Sequence, residues 1–161
     1  MDAPIYERFD TNDGFQTAVD RLMEQPGREL RVFDPDGAAL RLNDPQRIAR
    51  IDRFLLASRT RRLYLVVHDT DHLTRQCPRL LTLLRRFSHA MQINRTHEEI
   101  REVQDAFLLL DGMHYVRRPV AGLFRGAMGL GDENEGQALR GRFGEIWSAS
   151  YPAVSSTTVG L

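Results

Sequence analysis

Apolar residues recur along the chain at two spacings, and the switches between them mark out the elements. Phe15, Ala18, Val19, Leu22 and Met23 share one helical face, which predicts an amphipathic helix over 13–25 closed by Pro26-Gly27. Leu30, Val32 and Phe33 predict a strand, Asp34-Pro35-Asp36-Gly37 a turn, and 39–42 a short extended piece. Asn43-Asp44-Pro45 offers a capping side chain and a first-turn proline to a helix that carries Ile48, Ile51, Phe54 and Leu55 on one face. The clearest strand is 61–67, whose core of Leu63, Tyr64, Leu65, Val66 and Val67 is continuously apolar, as a strand covered on both faces requires. Leu80, Leu83, Leu84 and Phe87 predict a helix over 78–87, and Met91 and Ile93 a short alternating strand.

The polar stretch 97–102 fits a helical turn, and Ala106–Leu110 fits a buried strand. Asp111-Gly112 signals a hairpin, with 113–117 returning. Residues 119–135 are glycine-rich and show no period, so a flexible connection is expected there. Leu139, Phe143, Ile146 and Trp147 predict a last helix, followed from Pro152 by a Ser/Thr-rich tail expected to be loosely held. The order α-β-α-β-α-β-β-β-α predicts an α/β fold: a mixed, mostly parallel sheet sandwiched by helices, with at least one antiparallel strand from the hairpin. The expectation is a single domain over 1–161, with its core at about 13–150 and a tail at 152–161.

Composition narrows the chemistry. With 42% apolar residues in 161, one core can form without disulfide or metal staples. No apolar run approaches the ~20 residues of a membrane span. The start of the chain lacks a basic region followed by an apolar stretch, and Cys77 has no cysteine partner, so a cytoplasmic protein is expected. The formal charge is zero, which gives no general attraction for nucleic acid or membranes, and neither is expected as a partner. All 22 basic residues are arginine, which excludes a Walker-A loop, a Schiff-base enzyme and a lysine nucleophile.

Two constellations carry chemistry on their own. His68-Asp69-Thr70-Asp71-His72 follows the clearest strand, at the edge where open α/β sheets bind ligands. Asp34 and Asp36 follow the first strand, and Asn94, Arg95 and His97 the third. If those strands are parallel neighbours, His68, Asp69, Asp71 and His72 could form an acid–base or divalent-metal site; otherwise Asp69, Thr70 or Asp71 simply caps the next helix. Gly126-Ala127-Met128-Gly129-Leu130-Gly131 could cradle phosphate, but the following Asp132-Glu133-Asn134-Glu135 would repel it. No cofactor is called for.

Gln104-Asp105-Ala106-Phe107-Leu108-Leu109-Leu110-Asp111-Gly112, with a closing helix that ends Phe143-Gly144-Glu145-Ile146-Trp147, resembles one half of the phospholipase D-like superfamily. Each half there carries a His-x-Lys-x-x-x-x-Asp motif on a late buried strand. The resemblance implies a degenerate motif: Gln104 stands at the nucleophilic His, Ala106 at the phosphate-binding Lys, and only Asp111 is kept. Gln104 can neither form a phosphohistidine nor serve as a general acid near neutral pH, so phosphodiesterase activity is not expected. The family's small polar pair after the hairpin is replaced by Arg117-Arg118, which with Arg125 would make an anion pocket of arginine forks. The chain is also similar to an uncharacterised bacterial domain family found alone or beside acetyltransferase domains.

The leading expectation is therefore a non-catalytic binding or interaction module. Gln104, Asp111, Arg117 and Arg118 would hold an anionic ligand or form a pairing surface, and the family's habit of pairing halves implies a homodimer. The alternatives are an enzyme or metal-binding protein using His68, Asp69, Asp71 and His72, and a structural partner domain of an acetyltransferase.

Overall fold

A computed structural model describes residues 3–155. In chain order the elements are β1 (Ile5–Phe9), α1 (Asn12–Met23), β2 (Glu29–Phe33), α2 (Pro45–Leu56), β3 (Arg62–Val67), α3 (Asp71–Gln76), α4 (Pro78–Arg86), β4 (Met91–Thr96), β5 (Ala106–Leu110), β6 (His114–Arg118), β7 (Gly126–Leu130), α5 (Glu133–Ser148) and β8 (Ser150–Val154). The eight strands form one sheet in the order β1-β7-β6-β5-β2-β3-β4-β8.

The alternation of each strand divides its side chains between two layers. Leu30, Val32, Leu65, Leu108, Val116 and Met128 pack against Phe15, Val19 and Leu22 of α1, Ile51 and Leu55 of α2, and Leu80 and Leu84 of α4. Phe33, Val66, Phe107, Leu109 and Tyr115 turn the other way, onto Leu139, Phe143 and Ile146 of α5. On that side Phe107 meets Phe143 edge to face, with centroids 6.4 Å apart, and Phe143 stacks on Trp147 at 5.6 Å. The helices start where capping demands. Thr11 Oγ1 accepts from the Gly14 amide at 3.0 Å, Asp44 from Arg47 at 3.0 Å and Asp132 from Glu135 at 3.2 Å.

The mixed α/β sandwich of the sequence reading stands, but parallel pairing does not predominate. Among the described residues, only β2–β3 and β3–β4 run parallel; the other pairs are antiparallel. The shift comes from β5, which enters beside β2 instead of continuing the parallel series, and from the added strands β1, β7 and β8. The expected flexible connection contains β7, and the expected tail begins as β8, whose Pro152 is tolerated because β8 is an edge strand. The tail beyond 155 lies outside the described residues. The extended piece at 39–42 is instead a short 3-10 turn, Ala38–Leu40, bracketed by left-handed Gly37 (φ 81°) and Arg41 (φ 52°). A helix before Pro78 was not foreseen. Cys77, held out of helical geometry by the following proline, separates α3 from α4. Among the described residues, no helix is long and apolar enough to cross a membrane.

Candidate functional site

Because β2, β3 and β4 are parallel neighbours, their C-terminal ends meet at one edge, as the strand-edge reading required. The antiparallel partners bring the start of β5 and the end of β6 to the same edge. A hollow of about 440 Å³ opens there, lined by Asn12, Gln16, Asp34, Asp36, Arg41, Gln104, Arg118 and Phe124.

At its base is a buried ion pair. Arg118 donates through Nη2 to Asp34 Oδ1 and through Nη1 to the Ala121 carbonyl at 2.5 Å. Its guanidinium lies over the Phe15 ring, 4.6 Å from the centroid. Asp34 also accepts from the amides of Gly37 at 2.6 Å and Asp36 at 3.2 Å. Both side chains are about 3% exposed. Burial raises the Asp34 carboxyl above its usual range against the pull of Arg118, and burial likewise lowers the Arg118 guanidinium. The rim is wetter. Gln104 is exposed, and its amide donates to the Arg101 carbonyl at 3.0 Å. Arg41 is exposed and, among the described residues, makes no ion pair. Asp36 accepts from the Ala38 amide at 2.9 Å.

The four residues singled out by sequence do not all converge. Gln104 and Arg118 share the hollow. Arg117, its neighbour on a strand, points to the opposite layer and pairs with Glu135 at 2.9 Å. Adjacent strand residues cannot serve as one fork, and period-2 alternation is the signal that would have separated them. Asp111 sits just past the far end of β5, with the whole strand, about 17 Å long, between it and Gln104. There, with φ 58°, it accepts from the amides of Arg28 (2.9 and 3.0 Å) and Glu29 (2.9 Å), latching the start of β2.

The His68–His72 segment also disperses. His68 is buried, with Nε2 facing the Val103 carbonyl at 2.6 Å and Nδ1 facing Thr96 Oγ1 at 2.6 Å. A carbonyl only accepts, so Nε2 carries the proton and both ring nitrogens are engaged within the fold. Asp69 accepts from the Asp71 amide at 2.9 Å, and Asp71 and His72 lie on the first turn of α3. Among the described residues, no three His, Cys, Asp or Glu side chains gather closely enough to hold a metal. Asn12, Gln16 and Arg41 were missed, since only the fold of α1 against the 3-10 turn brings them to the hollow. Nothing in the sequence signals the Asp34–Arg118 pair, whose members stand 84 positions apart.

A family model described as "Domain of unknown function (DUF7931)" matches residues 11–156. No curated protein matches the sequence. Solved structures do match. Nuc, a phospholipase D family member from Salmonella typhimurium, superposes with TM-score 0.67 at 8% identity, covering 95% of this chain and 100% of its own. NucT from Helicobacter pylori gives 0.64 at 9%, covering 94% and 100%. Phosphatidylserine synthase from Haemophilus influenzae gives 0.57 at 12%, covering 98% of this chain and 40% of its own. At these identities the likeness is one of fold, and the fold is phospholipase D-like.

Proposed function

Since the chain belongs to the family described as a domain of unknown function (DUF7931), we propose that it is a non-catalytic binding module on a phospholipase D-like half-fold. Its anionic ligand enters the hollow between Gln104, Arg41 and Arg118. One observation carries this reading: the hollow at the sheet edge is lined by amides, carboxylates and two arginines, with no His, Cys, Ser, Thr, Tyr or Lys. Such a surface can recognise an anion through guanidinium and amide donors, and among the described residues it lacks the histidine and lysine on which a phospholipase D-type motif relies.

The Gln104–Asp111 stretch supports the degenerate-motif reading. Gln104 stands at the mouth, and Ala106, 2% exposed, contributes no side chain to the lining. Arg118 is committed to Asp34, so Arg41 is the guanidinium that meets ligand charge at the rim, while Gln104 supplies a neutral donor and acceptor. The test is thermal unfolding with phosphate, sulfate and dimethyl phosphate. A ligand of the folded state stabilises by about 2.7 kcal/mol at a hundred times its dissociation constant. Arg41→Ala and Gln104→Leu change exposed side chains and leave the fold intact. The reading expects an upward shift in the unmodified protein that both variants lose; no shift, or one that both variants keep, counts against it.

A second reading, a homodimer, draws on Val120 and Leu123, which are 53% and 50% exposed on the loop that flanks the hollow. Light scattering of the protein and of Val120→Glu separates the two: a dimer dissolved by the substitution supports pairing, and a monomer removes it.

A further inference from the structure

A second hollow, of about 480 Å³, lies on the opposite layer of the sheet and owes nothing to Gln104, Arg41 or Arg118. Strand register builds it. Across β1, β7 and β6 the rows run Tyr6–Gly129–Tyr115 and Arg8–Ala127–Arg117. The outer strands contribute large side chains and the middle strand almost none, so β7 becomes the floor of a trough. Neighbouring strands stand about 4.8 Å apart, which sets the walls about 10 Å apart. Arg125 lines the same hollow and precedes Ala127 by two residues, which puts it on the same face at one end. Gly129 keeps the floor low: a Cβ there would lie 2.3 Å from the Tyr115 ring, which would have to move.

The charges in the trough are unevenly matched. Its two carboxylates are already engaged. Glu135 pairs with Arg117 Nη1 at 2.9 Å, and Asp132 caps the Glu135 amide and accepts from the Tyr115 hydroxyl at 3.4 Å. Arg8 and Arg125 are exposed and, among the described residues, have no ion pair. Among the described residues, Arg117 Nε is buried with no hydrogen-bond partner, and its other guanidinium nitrogens face Glu135 and the trough. Tyr6, 59% exposed, stands one row beyond Arg8 on the same wall, about 7 Å along the strand.

We propose that this trough binds a phosphomonoester whose body carries a flat ring. The terminal phosphate sits among Arg8, Arg117 and Arg125, and the ring lies on Tyr6. A terminal phosphate has three free oxygens to share among three guanidiniums, which a diester lacks, and arginine forks suit that geometry. The exposed tyrosine face supplies a stacking surface within reach of the phosphate.

Isothermal titration calorimetry with adenosine monophosphate, ribose 5-phosphate and adenosine tests the proposal. Arg8→Ala, Arg125→Ala and Tyr6→Ala alter exposed side chains, and unchanged melting without ligand checks that each folds. Adenosine monophosphate is expected to bind, ribose 5-phosphate to bind more weakly and adenosine to give no heat. Arg8→Ala and Arg125→Ala should each weaken the nucleotide by about tenfold or more. Tyr6→Ala should reduce it to the level of ribose 5-phosphate. The proposal is overturned if the nucleotide gives no heat, if Arg8→Ala and Arg125→Ala leave its affinity intact, or if ribose 5-phosphate binds equally well.

Discussion

Replacing Arg118 by methionine should expose the cost of the buried pair at the base of the edge hollow. Methionine fills much of the same space over Phe15 and Phe124 but leaves Asp34, 2% exposed, without its cation. Removing one partner of a buried, hydrogen-bonded pair costs about 3–5 kcal/mol, which for a chain of this size lowers the melting temperature by about 9–15 °C. Pairing Arg118→Met with Asp34→Asn removes both charges and keeps an acceptor for the Gly37 amide. The double variant should therefore recover about 2 kcal/mol relative to Arg118→Met alone.

The pH dependence carries a definite sign. Burial already raises the Asp34 carboxyl in the folded protein, and losing Arg118 removes the main opposing influence. A carboxyl raised on folding contributes stability that is fully present below its unfolded value, near 3.8, and is lost as pH rises through the folded value. The Arg118→Met deficit should accordingly shrink as pH falls toward 3.8, and Asp34→Asn should abolish that slope. Urea and thermal unfolding across pH supply the data. A loss under about 1 kcal/mol for Arg118→Met, or a double variant no more stable than Arg118→Met, would refute the reasoning.

Other substitutions probe the remaining assignments. Asp111→Ala should cost about 1–2 kcal/mol by freeing the Arg28 and Glu29 amides, yet leave anion-induced melting shifts untouched; a lost shift would return Asp111 to the binding site. Gly129→Ala should displace the buried Tyr115 ring, at about 1–3 kcal/mol, with a change in near-ultraviolet circular dichroism; an unchanged spectrum would contradict the close packing. The Tyr115 phenol is pushed up to about 12, by burial first and then by Asp132 and Glu135. Its share of stability is intact below 10 and lost as pH rises through about 12, so Tyr115→Phe should flatten the alkaline stability curve over that window.

The fold was legible where the residues alone determined packing. Phe15, Val19 and Leu22 declared α1, and the apolar run 63–67 declared β3, because burial is written into composition at a fixed period. What was not legible depends on partners. β7 contains two glycines demanded by the Tyr115 ring and the Arg117 carbonyl oxygen, and without those neighbours Gly126–Leu130 reads as a loop. β1, largely exposed, and β8, half-buried at best, lie at the sheet edges and so carry no clean apolar alternation. Parallel predominance was overestimated because helices between strands fix handedness, not which strand inserts next to β2. Gln104 and Arg118 line one hollow, whereas Asp111 and Arg117, which the resemblance grouped with them, are separated from it by strand length and alternation.

The most direct test of the central claim is phosphorus NMR of dimethyl phosphate held with the protein, followed over time. The account predicts a phosphodiester resonance that shifts or broadens with protein concentration, no longer does so with Arg41→Ala, and yields no monoester. A growing monoester signal, absent without protein, would contradict it.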